Sequence, residues 1–190
     1  MTKLMETIIK RRSIRSFKPD PVPDEIIEKM LEAARLAPSG SNRQPWRFQL
    51  VKDQEIKKKI FDEGSFGAKH ILEAPLIIVC GSELLTYVKG HQLAPAGADY
   101  FGAENEDMES LKPFITDAQI NTAIAVEHMV LVATDSDIGT CWMQRIKPGQ
   151  IARILSWPRH IVVFALLLVG YPNEEPSIKP RLPIDEIIIK

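Results

Sequence analysis

Four short segments of this 190-residue chain hold side chains whose types and spacing suit chemistry. The first is Arg11-Arg12-Ser13-Ile14-Arg15, with three guanidiniums and a hydroxyl inside five residues. Arginine presents a rigid fork of donors that matches phosphate oxygens, and Ser13 adds a further donor. The same composition also suits a solvated basic helix end, favoured by the helix dipole. The second is Pro38-Ser39-Gly40-Ser41-Asn42-Arg43-Gln44-Pro45-Trp46, a turn crowded with small and amide residues. Gly40 lets backbone approach a flat ligand, and Ser39, Asn42 and Gln44 supply donors and acceptors for the edge of a heterocycle. An ordinary Ser/Gly/Asn/Pro turn has the same composition. The third runs from Asp137 to Arg145, where Trp142 and Met143 suit either the wall of an aromatic cofactor or plain core. The fourth is Lys179-Pro180-Arg181, a second cationic group for an anion, or a polar surface turn.

Conventional catalytic sets are missing. There is no Gly-x-Ser-x-Gly elbow, no phosphate loop ending in Gly-Lys-Ser/Thr and no dinucleotide glycine fingerprint. No catalytic residue is assigned, and no His/Cys grouping has metal-site spacing. His128 falls within a long apolar helical pattern and reads as a partly buried, satisfied histidine. Cys80 and Cys141 sit among apolar or bulky neighbours and read as inert buried thiols.

The elements that must position these segments follow from periodicity. Residues 4 to 12 predict a short amphipathic helix with Leu4, Met5, Ile8 and Ile9 on one face. Pro19, Pro21 and Pro23 make a stiff connector, and Asp24 is the expected cap of a helix that ends before Pro38. Trp46 to Val51, Leu76 to Cys80 and Ile161 to Val169 read as strands, with a helix capped by Asp53 after the first. Leu93 to Ile115 shows no clean period and suggests a lid or binding loop. Asp117 is the expected cap of the strongest helix, Gly139 its expected exit, and a short helix covers Pro148 to Trp157. The apolar tail Leu182 to Ile189 must pack, on its own sheet or across a dimer. The class is α+β, in one domain over 1–190, with a central sheet flanked by helices.

Composition narrows the function. Lys plus Arg is 24 and Asp plus Glu 25, a net charge of -1 that argues against a generic nucleic-acid binder. Apolar residues at 45% argue against disorder, and two cysteines are too few for a disulfide scaffold. The longest apolar run is far short of a membrane helix, which needs about 20 residues, and no signal-peptide layout is present. A cytoplasmic protein is expected. Residues 1–20 alone carry an excess of four positive charges, which keeps open a non-enzymatic phospholigand- or acidic-partner-binding module.

Taken in order, Arg-Arg-Ser-Ile-Arg-Ser-Phe, Ala-Pro-Ser-Gly-Ser-Asn-Arg-Gln-Pro-Trp, Gly-Thr-Cys-Trp and Lys-Pro-Arg-Leu-Pro resemble the nitroreductase-like FMN-dependent family, from about Met5 to Ile189. The resemblance implies a three-layer fold around a central mixed sheet, a homodimer with FMN at the subunit interface, and a C-terminal extension reaching toward the partner. It implies that Arg11, Arg12, Ser13 and Arg15 hold the FMN phosphate and ribityl chain, with Arg181 as a C-terminal phosphate contact. Pro38, Ser39, Gly40 and Asn42 then reach the cofactor from the other subunit, and Trp142, Met143 and Gln144 line the isoalloxazine. The implied activity is ping-pong transfer from NADH or NADPH to a nitroaromatic or quinone-type acceptor. Reductive dehalogenation and flavin fragmentation are the alternatives within the family. The chain departs from many relatives in reading Asp137-Ile138-Gly139 where they have Gly-Leu-Gly.

Overall fold

The computed structural model describes residues 1–87 and 108–189. Four strands form one sheet: β1 (Trp46–Val51), β2 (Leu76–Glu83), β3 (Gly139–Met143) and β4 (Ile161–Gly170), in the order β1-β2-β4-β3. All three pairings are antiparallel, so the expected mixture of directions is confined to an isolated parallel bridge between Ser13 and Thr140 at the β3 edge. The two inner strands are buried on both faces, which is why β2 and β4 read as continuous apolar runs rather than alternating ones.

Helices cover both faces. On one, α2 (Asp24–Arg35) and α6 (Ile115–Asp135) pack Met30, Ala34 and Met129 against Ile78, Cys80 and Leu167. On the other, α3 (Gln54–Lys59), α4 (His70–Glu73) and α7 (Pro148–Ile154) bring Ile71 and Ile151 against Ile77, Val79 and Leu168. The alternation of Ile77 and Ile78 between two cores is the period of a strand. A helical turn at Ile60–Gly64 links α3 to this second core, and α5 (Met108–Leu111) with a 3₁₀ turn at Lys112–Phe114 leads into α6.

Several boundaries differ from expectation. Asp24 is the first residue of α2 rather than its cap, and Pro23 stands at the cap without a side-chain bond. Helix α6 starts at Ile115, before Asp117, because the preceding 3₁₀ turn already supplies a helical lead-in. Gly139 opens β3 instead of closing α6. The exit is made by Asp137 in the left-handed region, at φ 59. Asp53 caps α3 as expected, accepting from the Ile56 N–H at 2.9 Å. Of the proposed lid, 93–107 lies outside the described residues, while 108–115 is helical. The tail joins no strand of its own sheet. It forms a 3₁₀ turn at Ile184–Glu186, and Ile184 and Ile187 stay exposed.

Candidate functional site

Both ends of the chain converge on one cleft. Helix α1 (Lys3–Lys10) is capped by Thr2 and held to the end of α6 by polar contacts, Thr7 to Asp135 at 3.3 Å and Lys3 to Asp135 at 3.1 Å. Its apolar stripe, Leu4, Met5, Ile8 and Ile9, therefore faces outward in the protomer. The chain then leaves the helix extended, and the Ile14 N–H donates to the Thr140 carbonyl at 2.9 Å. Gly139 makes this approach possible, since a Cβ there would lie 2.8 Å from Ile14. Residues following β4 zip onto the same segment: Lys18 N–H donates to Tyr171 O at 2.9 Å and Asn173 N–H to Ser16 O at 3.0 Å. The Glu174 carboxylate accepts the backbone N–H groups of Arg15 and Ser16.

This zipper brings the tail back across the basic segment. Arg11, Arg12, Ser13, Arg15, Lys179 and Arg181 line a cleft of about 340 Å³, with Ile8, Ile9 and Ile178 as its apolar wall. Among the described residues, none of the five cationic side chains lies within 4.0 Å of a carboxylate. Arg12 is anchored by its Nη1 on the carbonyls of Ile9 (2.5 Å) and Arg11 (2.7 Å), and Arg181 on those of Lys179 (3.1 Å) and Pro180 (3.2 Å). These bonds hold the guanidiniums while using only part of their five donors. The charge of Arg15 also reaches His70. Burial first and Arg15 second hold that imidazole below its ordinary value of 6.5, against Glu73 and Glu174. Cys141 and Cys80 are buried, and burial pushes both thiols up.

The second predicted segment lies elsewhere in the protomer. Gly40 and Ser41 border another cleft, of about 330 Å³, with Arg43, Tyr87, Phe114 and Asn121. Ser41, Asn42 and Gln44 all adopt positive φ, at 52, 55 and 48. Such a run of non-glycine residues persists only where the surroundings over-determine it. Here Asn121 Oδ1 accepts the Gly40 N–H at 2.9 Å, Ser39 Oγ accepts the Gln44 N–H at 2.9 Å, and Arg43 donates to Thr86 O at 2.6 Å. Asn121 in turn donates to Tyr87 Oη and Asp117 O, both at 2.8 Å, and Arg43 lies over the Tyr87 ring at 4.8 Å.

On β3, side chains divide by layer. Met143 is buried in the core of one face, and Trp142 packs on the other, edge-on to Phe164 at 5.8 Å. The Trp142 Nε1 is buried without a hydrogen-bond partner among the described residues. Gln144 is exposed at the end of the strand. Pro38, Ser39, Gly40 and Asn42 thus share one turn, the basic residues and Arg181 share one cleft, and the β3 residues form a third place. Sequence reading missed Glu174, Tyr87 and Asn121. Each acts through contacts across the chain that leave no local signal. Among the described residues no group of three His, Cys, Asp or Glu is placed to hold a metal ion.

The nitroreductase family model matches residues 8–171. The chain belongs to the nitroreductase family. Among its curated relatives, an NADH dehydrogenase of Thermus thermophilus is 32% identical, the match covering 95% of this chain and 92% of that protein. An FMN reductase [NAD(P)H] of Bacillus subtilis is 26% identical, over 98% of this chain and 73% of the relative. A solved nitroreductase family protein from Clostridium difficile 630 superimposes with a TM-score of 0.75 at 27% identity, covering 100% of this chain and 98% of the other. The chain is an α+β oxidoreductase of this family. No helix among its described residues is long and apolar enough to cross a membrane.

Proposed function

We propose that this protein transfers reducing equivalents from NADH or NADPH to a nitroaromatic or quinone-type acceptor, the two substrates occupying the site in turn. Bound FMN supplies the two-electron chemistry. The observation that carries the reading is the meeting of Arg11, Arg12, Arg15, Lys179 and Arg181 in one cleft with no carboxylate of the described residues at ion-pair distance. Cations without acidic partners repel one another, and a phosphate dianion relieves that repulsion through charge-assisted bonds. The residues fit the FMN phosphate, with the Ser13 hydroxyl as an added donor.

The rest of the site follows by placement. Ser13 runs beside Thr140 on β3, so Ser13 would hold the phosphate end of the cofactor and Gln144, at the end of the same strand, would be available to its ring. Ile8, Ile9 and Ile178 form an apolar side of the cleft. The turn that carries Pro38, Ser39, Gly40 and Asn42, with Ser41, Asn42 and Gln44 at positive φ, borders a different cleft of its own protomer, which suits a contact made in trans to the partner's cofactor. Exposed Leu4, Met5 and Ile9 on α1, Ile120 and Ile124 on α6, and Leu182 to Ile189 in the tail are the apolar surfaces such a homodimer buries.

The test is the visible spectrum under anaerobic conditions. Purified protein supplied with FMN is expected to show flavin bands that bleach with NADH or NADPH and return on adding menadione or a nitrobenzoate. Protein that takes up no FMN sinks the cofactor assignment. Bands that bleach but do not return with either acceptor sink the acceptor assignment.

A further inference from the structure

After β3 the chain continues Gln144-Arg145-Ile146-Lys147. Ile146 is buried while Arg145 and Lys147 are exposed, so the two cations project together on the outer side. Ser65 pairs with Ile146 in an antiparallel bridge, and the Lys147 N–H donates to Gly64 O at 2.8 Å. This register sets Phe66 beside Arg145. The Arg145 guanidinium carbon and the Lys147 Nζ each lie 5.5 Å from the Phe66 ring centre. Phe66 nevertheless stays 58% exposed. Gly67 follows at φ 78, with no atom within 4 Å of where a side chain would start. Neither cation has a carboxylate within 4.0 Å among the described residues. Both cations lie over the ring, and the part of Phe66 that stays exposed, with two cations beside it, complements a flat ring that carries an anion. The loop that bears Phe66 ends at His70, whose imidazole feels the Arg15 charge.

We propose that Phe66, Arg145 and Lys147 form a subsite for the adenosine 2′-phosphate of NADPH, with adenine on Phe66 and the phosphate between the two cations. The proposal rests on the reading that a nicotinamide nucleotide is the electron donor. NADH lacks the phosphate and draws nothing from the cations, so the subsite makes NADPH the preferred donor.

The experiment uses the FMN-loaded protein and its Arg145→Ala/Lys147→Ala double variant. Steady-state kcat/KM is measured for both nucleotides, with menadione as acceptor. The native protein is expected to favour NADPH at least tenfold. The double variant should lose most of that ratio through a higher KM for NADPH, with NADH kinetics changed less than threefold. Independently of turnover, calorimetry with adenosine 2′,5′-bisphosphate and adenosine 5′-monophosphate should show preferential binding of the bisphosphate to native protein, lost in the double variant and weakened by Phe66→Ala. Equal use of the two nucleotides by native protein, or a ratio and bisphosphate affinity unmoved in the double variant, overturns the subsite. If neither nucleotide is oxidised, the oxidoreductase reading fails instead, and the bisphosphate titration still decides the subsite.

Discussion

At the residue scale, charge without compensation marks the site. Arg15 presents its side chain at the cleft while Glu174 takes only its backbone N–H, so the carboxylate positions the residue without pairing with its guanidinium. His70 reports on that field. Its folded pKa is held below 6.5, so between the folded value and 6.5 the unfolded chain binds more protons. Stability therefore rises with pH across that window and is lost on acidification through it. A bound phosphate offsets the Arg15 charge and removes part of the depression. In an NMR titration, the His70 midpoint should lie below 6.5 in the free protein and rise with FMN but not with riboflavin. A midpoint that FMN leaves in place would separate His70 from the phosphate cleft. The residue types that line the candidate clefts were legible in the sequence, because arginine clusters and small-residue turns carry their chemistry locally. Glu174 was not, since its role depends on the chain after β4 returning to residues 15 and 16.

At the element scale, the edge strand β3 carries the basic segment. Ser13 and Ile14 lie along it because Gly139 has no side chain to hold them off. Gly139→Ala places a methyl group 2.8 Å from Ile14 and is expected to cost about 1–3 kcal/mol, as overpacking does. Thermal unfolding and FMN titration of the same variant should both fall, because the displaced segment carries Arg12, Ser13 and Arg15. Unchanged values in both would mean that the contact does not set the segment's position. Strands β2 and β4 were legible as apolar runs, and α3 from its Asp53 cap. The start of α6 was not, because its lead-in is a 3₁₀ turn around Pro113 with no side-chain cap to announce it. Trp142 illustrates the same limit: strand alternation sends it toward the α2 and α6 layer and Met143 toward the other, a division that depends on register.

At the scale of the whole molecule, the fold joins sequence-distant ends. The order β1-β2-β4-β3 puts the exit of β4 next to the β3 edge, and the residues after Gly170 therefore run back along residues 15–18. Neither the strand order nor this return is visible in periodicity. Only the family resemblance joined Arg181 to Arg12 before the structure did. The tail beyond Arg181 adds exposed isoleucines rather than a strand, because the sheet of its own protomer does not take it up. The central claim is that both chain ends hold one phosphate. Its most direct test is the dissociation constant of FMN against that of riboflavin for native protein and Arg181→Ala. Losing a charge-assisted contact worth roughly 1.5–3 kcal/mol should weaken FMN about ten- to a hundredfold. Riboflavin, which lacks the phosphate, should bind both proteins alike. FMN affinity that Arg181→Ala leaves unchanged, or an equal loss for riboflavin, would contradict the account.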